Sequence, residues 1–257
     1  EEFFQLLRNS NATPTTSQPS GGELKRQYQY LISHYDSIIA MHIPAALSGT
    51  VNASQSAAKS IDAENITVMD CYNTSGGQGL LVQLAARAAQ QGYSRERIIE
   101  LIEHARPKTQ VFVIMQELDA VTRSGRLPKS VKTLFDLLRV RPILTFNAIG
   151  KGSVSGIARP KSKLANSLRK FVGKKINKQK QYHIQVLHAD NLEQAEELVK
   201  QLNAQYTNNI ASITCTPCAS AIACHTGVGS LGFAIQEHIP LEEPIMLNDM
   251  ATATSEA

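Results

Sequence analysis

No part of the 257-residue chain approaches the roughly 18 consecutive apolar residues that a membrane-spanning helix needs, and nothing reads as a signal peptide. Cysteine is scarce. Cys71, Cys215, Cys218 and Cys224 are too few in a chain this long to set a disulfide framework, which suits a reducing, cytoplasmic setting. Catalytic signatures are missing as well: there is no Walker phosphate loop, no His-Glu-x-x-His, no Gly-x-Ser-x-Gly elbow and no paired carboxylates. Asp70, at a strand end, is the one candidate catalytic carboxylate, so the expectation is a binding protein and not an enzyme. Acidic residues are absent from Arg159 to Lys180, where nine of 22 residues are Lys or Arg. The overall formal charge of +4 is mild.

What is present supports a proper core, with 42% apolar residues against 19% charged. The chain opens "EEFFQLL" in helical pattern and without an initiator Met, so an upstream portion is expected. Strand and helix then alternate. Ser20 to Glu23 forms a Ser-x-x-Glu capping box, after which Leu24, Tyr28, Leu31, Ile32 and Tyr35 share a helical face. "SIIAMHI" (Ser37 to Ile43) and "ITVMD" (Ile66 to Asp70) read as strands. Between them a helix follows "LSGT". The Ala-rich segment Gly76 to Gly92 is a helix closed by glycine, and Ser94 caps another that runs to Ala105. "QVFVIM" (Gln110 to Met115) reads as a third strand of the same parallel sheet.

The second half changes character. Pro142 to Ala158 reads as a hairpin around Gly150 and Gly152, and "YHIQVLHA" and "IASITCT" flank a helix that starts at Asn191. The predicted fold is therefore α/β with two subdomains: an N-terminal parallel-sheet unit over 1–117 and a C-terminal mixed-sheet unit over 118–257. Residues after about 226 pack back on the first unit. In open α/β sheets ligands sit at the carboxyl ends of strands. Two hydroxyl-rich turns lie there or beside it, "TPTTSQPSGGE" (Thr13 to Glu23) and "AALSGTVNAS" (Ala45 to Ser54). Hydroxyls are ordinary turn and cap residues. They are also neutral donors able to hold an anion away from water.

Three other features admit competing readings. Leu164, Leu168, Phe171, Val172 and Ile176 recur at helical spacing, so the basic residues between Lys161 and Lys180 fan outward. That face is solvated, or it docks on an acidic partner or an anionic membrane. Nucleic acid is disfavoured by the lack of interleaved aromatics. "GVGSLG" (Gly227 to Gly232) fits a dinucleotide-type glycine pattern after a strand "AIACH" and before a possible helix, but the chain lacks the second strand and acidic residue such a unit requires. "CTPCASAIACH" offers Cys215, Cys218, Cys224 and His225 to zinc or redox chemistry. Strand alternation would point Cys224 and His225 to opposite faces, so no metal is predicted.

"TSQPS" (Thr16 to Ser20), "LSGT" (Leu47 to Thr50), "RSGRL" (Arg123 to Leu127), "RPIL" followed by Gly150, "HADN" (His188 to Asn191) and "HTGVG" (His225 to Gly229) occur in the order and approximate spacing of the DegV family, which the chain resembles over nearly its whole length. It departs at Ala46 before "LSGT", at Val228 where the family has Pro, and at the family's first strand, which precedes this start. The resemblance implies a long-chain fatty acid bound between two α/β subdomains, with no cofactor, and handed to a fatty-acid kinase that makes the acyl phosphate. It also implies that Thr16 or Ser17 and Ser48 hold the carboxylate, that Arg126, Arg159 and His225 surround the head group, and that Gly49, Thr50, Thr226 and Gly227 belong to the same ligand site. The alternative is a subunit of a small-substrate kinase or transferase related to dihydroxyacetone kinases.

Overall fold

A computed structural model describes residues 2–9, 14–159 and 162–241. An amphipathic helix α1 (Glu2–Asn9) leads into α2 (Gly21–Ile32). The Ser20 side chain accepts from Glu23 N while the Glu23 carboxylate takes the Ser20 N–H at 2.8 Å, the reciprocal box expected from the sequence. Leu24 and Tyr28 are buried by this helix. Tyr35 is not: it lies beyond the Ser33 C-cap and is 62% exposed, because the helix stops before the periodic face reaches it.

Strand β1 (Ile38–His42), helix α3 (Thr50–Ile61) and strand β2 (Ile66–Asp70) form a two-stranded parallel sheet. Helix α4 (Ser75–Gln90) and helix α5 (Arg95–Ala105) follow, separated by Gly92 at φ +78°. Strand β3 (Thr109–Ile114) then leaves the small sheet. It pairs antiparallel with two later strands, which corrects the sequence reading of a third parallel strand. The reason is physical: a short run of apolar side chains marks a strand buried on both faces, and nothing local states which sheet receives it.

Two helices, α6 (Asp119–Arg123) and α7 (Lys129–Leu138), precede the hairpin of β4 (Arg141–Phe146) and β5 (Gly152–Ala158). Helix α8 (Leu164–Val172), strand β6 (Tyr182–His188), helix α9 (Leu192–Tyr206) and strand β7 (Ile210–Pro217) come next, then α10 (Ser220–Thr226) and β8 (Leu231–Glu237). The large sheet has the order β5-β4-β3-β8-β6-β7, with β6 and β7 parallel and the other pairs antiparallel. "AIACH" is thus helix α10 and not a strand, and "GVGSLG" leads into strand β8 and not a helix. An apolar stretch of four or five residues fits either period, so neighbouring structure decides it.

Helix α4 joins the two sheets. Leu81, Leu84 and Ala88 pack with Met69, Cys71, Ile98 and Ile102, while Leu80 packs with Val111, Leu187 and Ala234 of the large sheet. A helix apolar on both sides is what an Ala-rich segment between two layers requires. Gly76 gives the close approach: a Cβ there would meet Leu187 Cδ1 at 2.8 Å and Ala234 Cβ at 3.0 Å. Near the end of the described chain, Ile239 and Leu241 pack on the cluster around Met69 and Cys71.

Helix α8 buries Leu164, Leu168, Phe171 and Val172, as its spacing predicts. Among the basic residues, Lys161 lies outside the described residues. Lys175 does not fan outward: its Nζ sits 4.9 Å from the Phe112 ring centroid and 5.5 Å from that of Phe171, where a cation gains from the ring faces.

The buried His183 (8% exposed) joins β6, β7 and β8, with Nδ1 2.7 Å from Ser212 Oγ and Nε2 2.9 Å from His238 Nδ1. Burial, with the nearby charges of Arg87 and His238, lowers its pKa to about 4. A depressed histidine adds stability above its unfolded value of about 6.5 and loses it as pH falls towards 4. The expected result is a loss of up to about 3 kcal/mol between pH 7 and 4 from this group alone. Urea unfolding of wild type and His183→Gln at both pH values checks it, since the variant should show a shallower pH dependence.

Candidate ligand-binding site

A cavity of ≈ 410 Å³ lies between the loops that leave β1 and β2 and one face of the large sheet. Its floor is built by strand register. Leu144 of β4, Val113 of β3, Gly232 of β8 and Leu187 of β6 stand in line across four adjacent strands, and all four line the cavity. Side chains alternate between faces along a strand, so Val111 of β3 shares the Val113 face and lines it too, as does Met115 just past the strand's end. Val121 and Leu127 close the α6 side. The floor is apolar.

The polar end has three sources. Residues 14–20, without regular structure, cross the cavity as a strap that carries Thr16 and Ser17. The N-terminus of α3 brings Ser48 and Thr50, whose hydroxyls lie 2.8 Å apart, and Thr50 N donates to Ser48 Oγ at 3.3 Å. That leaves a hydroxyl hydrogen free for a third partner. The end of α10 brings His225 and Thr226. His225 Nε2 lies 2.7 Å from Thr16 Oγ1, a contact across 209 residues of sequence. Its Nδ1 is buried without a partner. Burial, then the charge of Arg126, lowers the His225 pKa, so the ring is neutral near pH 7. With Nε2 as donor, the Thr16 hydrogen stays available to a ligand.

Thr16, Ser17, Ser48, Thr50, Arg126, His225 and Thr226 therefore line one cavity. Arg126 is exposed at its edge, where its Nη1 donates to Ser124 O at 2.6 Å. Three predicted residues fall outside the lining. Arg159 is exposed just past β5. Gly227, at φ +75°, closes α10 by donating to Ala223 O. Gly49 is the N-cap of α3 and sits beneath Gln18. Sequence reasoning missed Gln18, Thr74 and Ser75, which also line the cavity. Thr74 caps α4 without a side-chain cap bond, and its Oγ1 is buried and unpartnered. The signal available was "TSGGQG", a hydroxyl pair just before a helical run after a strand.

The cysteines offer no ready nucleophile. All four are free among the described residues, and burial pushes the Cys71 thiol up to about 12 and the Cys218 thiol, in the cavity wall, up to about 11. No group of three or more His, Cys, Asp or Glu suited to a metal occurs among the described residues. None of the described helices is long and apolar enough to cross a membrane.

Fold and cavity together define a two-sheet α/β protein whose central cavity is apolar along its floor and hydroxyl-lined at one end. The family model of DegV, described as an uncharacterised protein family, matches residues 1–238, and the chain belongs to this family. A DegV domain-containing protein of Staphylococcus aureus (strain COL) is 30% identical over 236 residues, 91% of this chain and 82% of that protein. Among solved structures, the fatty-acid-binding DegV family protein of Thermus thermophilus is 28% identical with a TM-score of 0.82, over 92% of this chain and 84% of that one. Bacillus subtilis DegV, described as a fatty acid binding protein, is 27% identical with a TM-score of 0.80, over 92% and 83%.

Proposed function

We propose that this protein binds a long-chain fatty acid, with its carboxylate held by Thr16 or Ser17 together with Ser48, and presents it to a fatty-acid kinase for acyl-phosphate formation. The observation that carries the reading is the single cavity in which an apolar floor meets a cluster of neutral hydroxyls. Its volume falls in the ordinary range for ligand cavities, roughly 300–1,000 Å³. Burying an acyl chain at about 0.8 kcal/mol per CH₂ gives more than 10 kcal/mol of gross driving force for some sixteen carbons. The tail thus supplies affinity, and the hydroxyls offset the desolvation of the carboxylate. The fatty-acid binding described for the Thermus thermophilus and Bacillus subtilis relatives supports the same ligand class.

In this reading the protein is a carrier without a cofactor, and catalysis belongs to the kinase. Arg126 and His225 meet the charge that phosphorylation adds at the cavity edge, and Arg159, outside the cavity, meets the kinase. The basic residues of α8 steer docking on the kinase or on an anionic membrane. In this reading the acyl chain lies between two units, the small sheet with its helices and the large sheet, to which β3 belongs.

Native mass spectrometry of the purified protein is expected to show one fatty acid per chain. Delipidated protein should take up a C16 or C18 acid and yield acyl phosphate once a cognate kinase and ATP are added. Failure to load either acid removes the fatty-acid reading. Normal loading with no acyl phosphate removes the kinase step alone.

A further inference from the structure

We propose that Phe146 is the wall that ends the acyl cavity and so sets the longest chain the protein takes: beyond its ring lies a second, polar cavity that a chain enters only when the ring is removed. This rests on the fatty-acid reading. The second cavity has a volume of ≈ 340 Å³, and Tyr72, Glu103, Arg106, Pro107 and Asn147 are in its lining. Phe146 is the one residue among those described that lines both cavities. Side chains alternate along β4, so Phe146 faces the same way as Leu144, onto the floor, where it packs with Leu80, Val111, Leu187 and Ala234. Its partner across the hairpin is Gly152, which has no side chain to share the task.

The ring stands away from the His225 end of the floor. Ser230 Oγ donates to Thr226 O at that end, and β8 then runs on to Ala234, which belongs to the cluster around Phe146. Four strand residues span about 13 Å at roughly 3.3 Å each. The chemistry changes at the ring. On its near side the floor is apolar. On its far side the half-buried Arg106 lies with its guanidinium carbon 4.4 Å from the Tyr72 ring centroid and spends one of its five N–H donors on Asp70 O at 3.0 Å, while Glu103 is exposed at the rim. A plain methyl end gains no hydrogen bond there, whereas a chain that ends in a second carboxylate meets a cation. Phe146 keeps either kind of end on the apolar side.

The test compares straight-chain acids with α,ω-diacids, C16 to C22, on wild type, Phe146→Ala and Leu127→Ala in the full chain, by competition against a labelled C16 acid. Leu127→Ala enlarges the same cavity on the α6 side, away from the second one. In wild type, affinity should drop by about tenfold or more past the longest chain that fits, and each diacid should bind more weakly than its acid, because its second carboxylate is stopped among apolar groups. Phe146→Ala should move the drop to longer chains. It should also raise the affinity of the long diacids, relative to the C16 acid, by about tenfold or more, since the second carboxylate now reaches Arg106. Leu127→Ala should leave the diacids as weak as in wild type.

An unchanged chain-length limit in Phe146→Ala overturns the proposal. So does a longer limit without the diacid gain, which shows that the chain fills only the space of the lost ring. A diacid gain in Leu127→Ala shows that any added volume suffices and that Phe146 is not the wall. If Phe146→Ala does not fold, Phe146→Leu takes its place, with shifts in the same direction of about threefold expected and an unmoved limit overturning the proposal. A wild-type protein that takes no acid of any length removes the fatty-acid reading. The ligand-free crystal structure of the folded Phe146 variant then judges the wall by itself: one continuous cavity is expected, and two separate cavities overturn it.

Discussion

Replacing Thr16 and Ser48 together by alanine is expected to weaken binding of a C16 fatty acid by roughly 100-fold or more and to leave the protein folded. Each hydroxyl that donates to a buried carboxylate is worth about 1.5–3 kcal/mol, and neither side chain contributes volume to a core cluster. Both residues are partly exposed, so the fold does not rest on them. Ser48 also accepts from Thr50 N, a cap-like bond whose loss costs about 0.5–1 kcal/mol and lowers the melting temperature by a few degrees at most. Either single substitution should have the smaller effect, since Ser17 and Thr50 line the same end. Titration with the acid and with the alcohol of equal length separates the outcomes. An unchanged affinity for the acid in the double variant moves the carboxylate elsewhere. A matched loss for both ligands shows that the cavity itself has changed.

The sequence made the elements legible where local chemistry decides them. The Ser20 and Glu23 box, the Ser94 cap and the glycine after α4 mark their helix ends because each satisfies backbone groups within a few residues. The Leu164 to Val172 face showed its period for the same kind of reason. Position in the sheet was not legible for Gln110 to Met115, since β3 obtains its neighbours from residues 144 and 231–236, more than 25 positions away. Helix α10 was hidden because "AIACH" is too short for its period to be told from a strand. At the site, motif order brought seven of the ten named residues to one cavity. Gln18 escaped because a glutamine in a turn carries no chemical signature. Its place in the cavity lining appears only in the fold, where it lies over Gly49, 31 residues on. The Thr16 contact with His225 is of the same kind, a pairing that the fold makes between opposite ends of the chain.

Gly232→Ala is expected to damage both stability and ligand binding, more than a single added methyl in a strand ordinarily would. Gly232 lies in β8, with β3 on one side and β6 on the other. A Cβ there would meet Phe112 O at 2.5 Å and Val113 Cα and Cβ at 3.3 Å. The first obstacle is a backbone carbonyl in the neighbouring strand, which has no rotamer to escape into. The strands must separate, and forced overpacking of this kind costs about 2–4 kcal/mol. For a chain of this size that lowers the melting temperature by roughly 5–12 °C. The same methyl stands in the middle of the cavity floor, between Val113 and Leu187. Affinity for a C16 acid should therefore fall, and fall for the C16 alcohol to the same degree, because the obstruction lies under the chain and not at the head group. Leu187→Ala gives the opposite geometry at the next position. It removes volume from the floor and from the cluster of Leu80, Val111 and Ala234, and costs about 2–4 kcal/mol by leaving a void, yet longer chains should lose less affinity than shorter ones. Thermal unfolding and a chain-length series on the two variants distinguish overpacking from cavity growth. A Gly232→Ala protein that melts and binds like wild type would show that β3 and β8 can part without cost. The register row would then not be the surface on which the acyl chain lies.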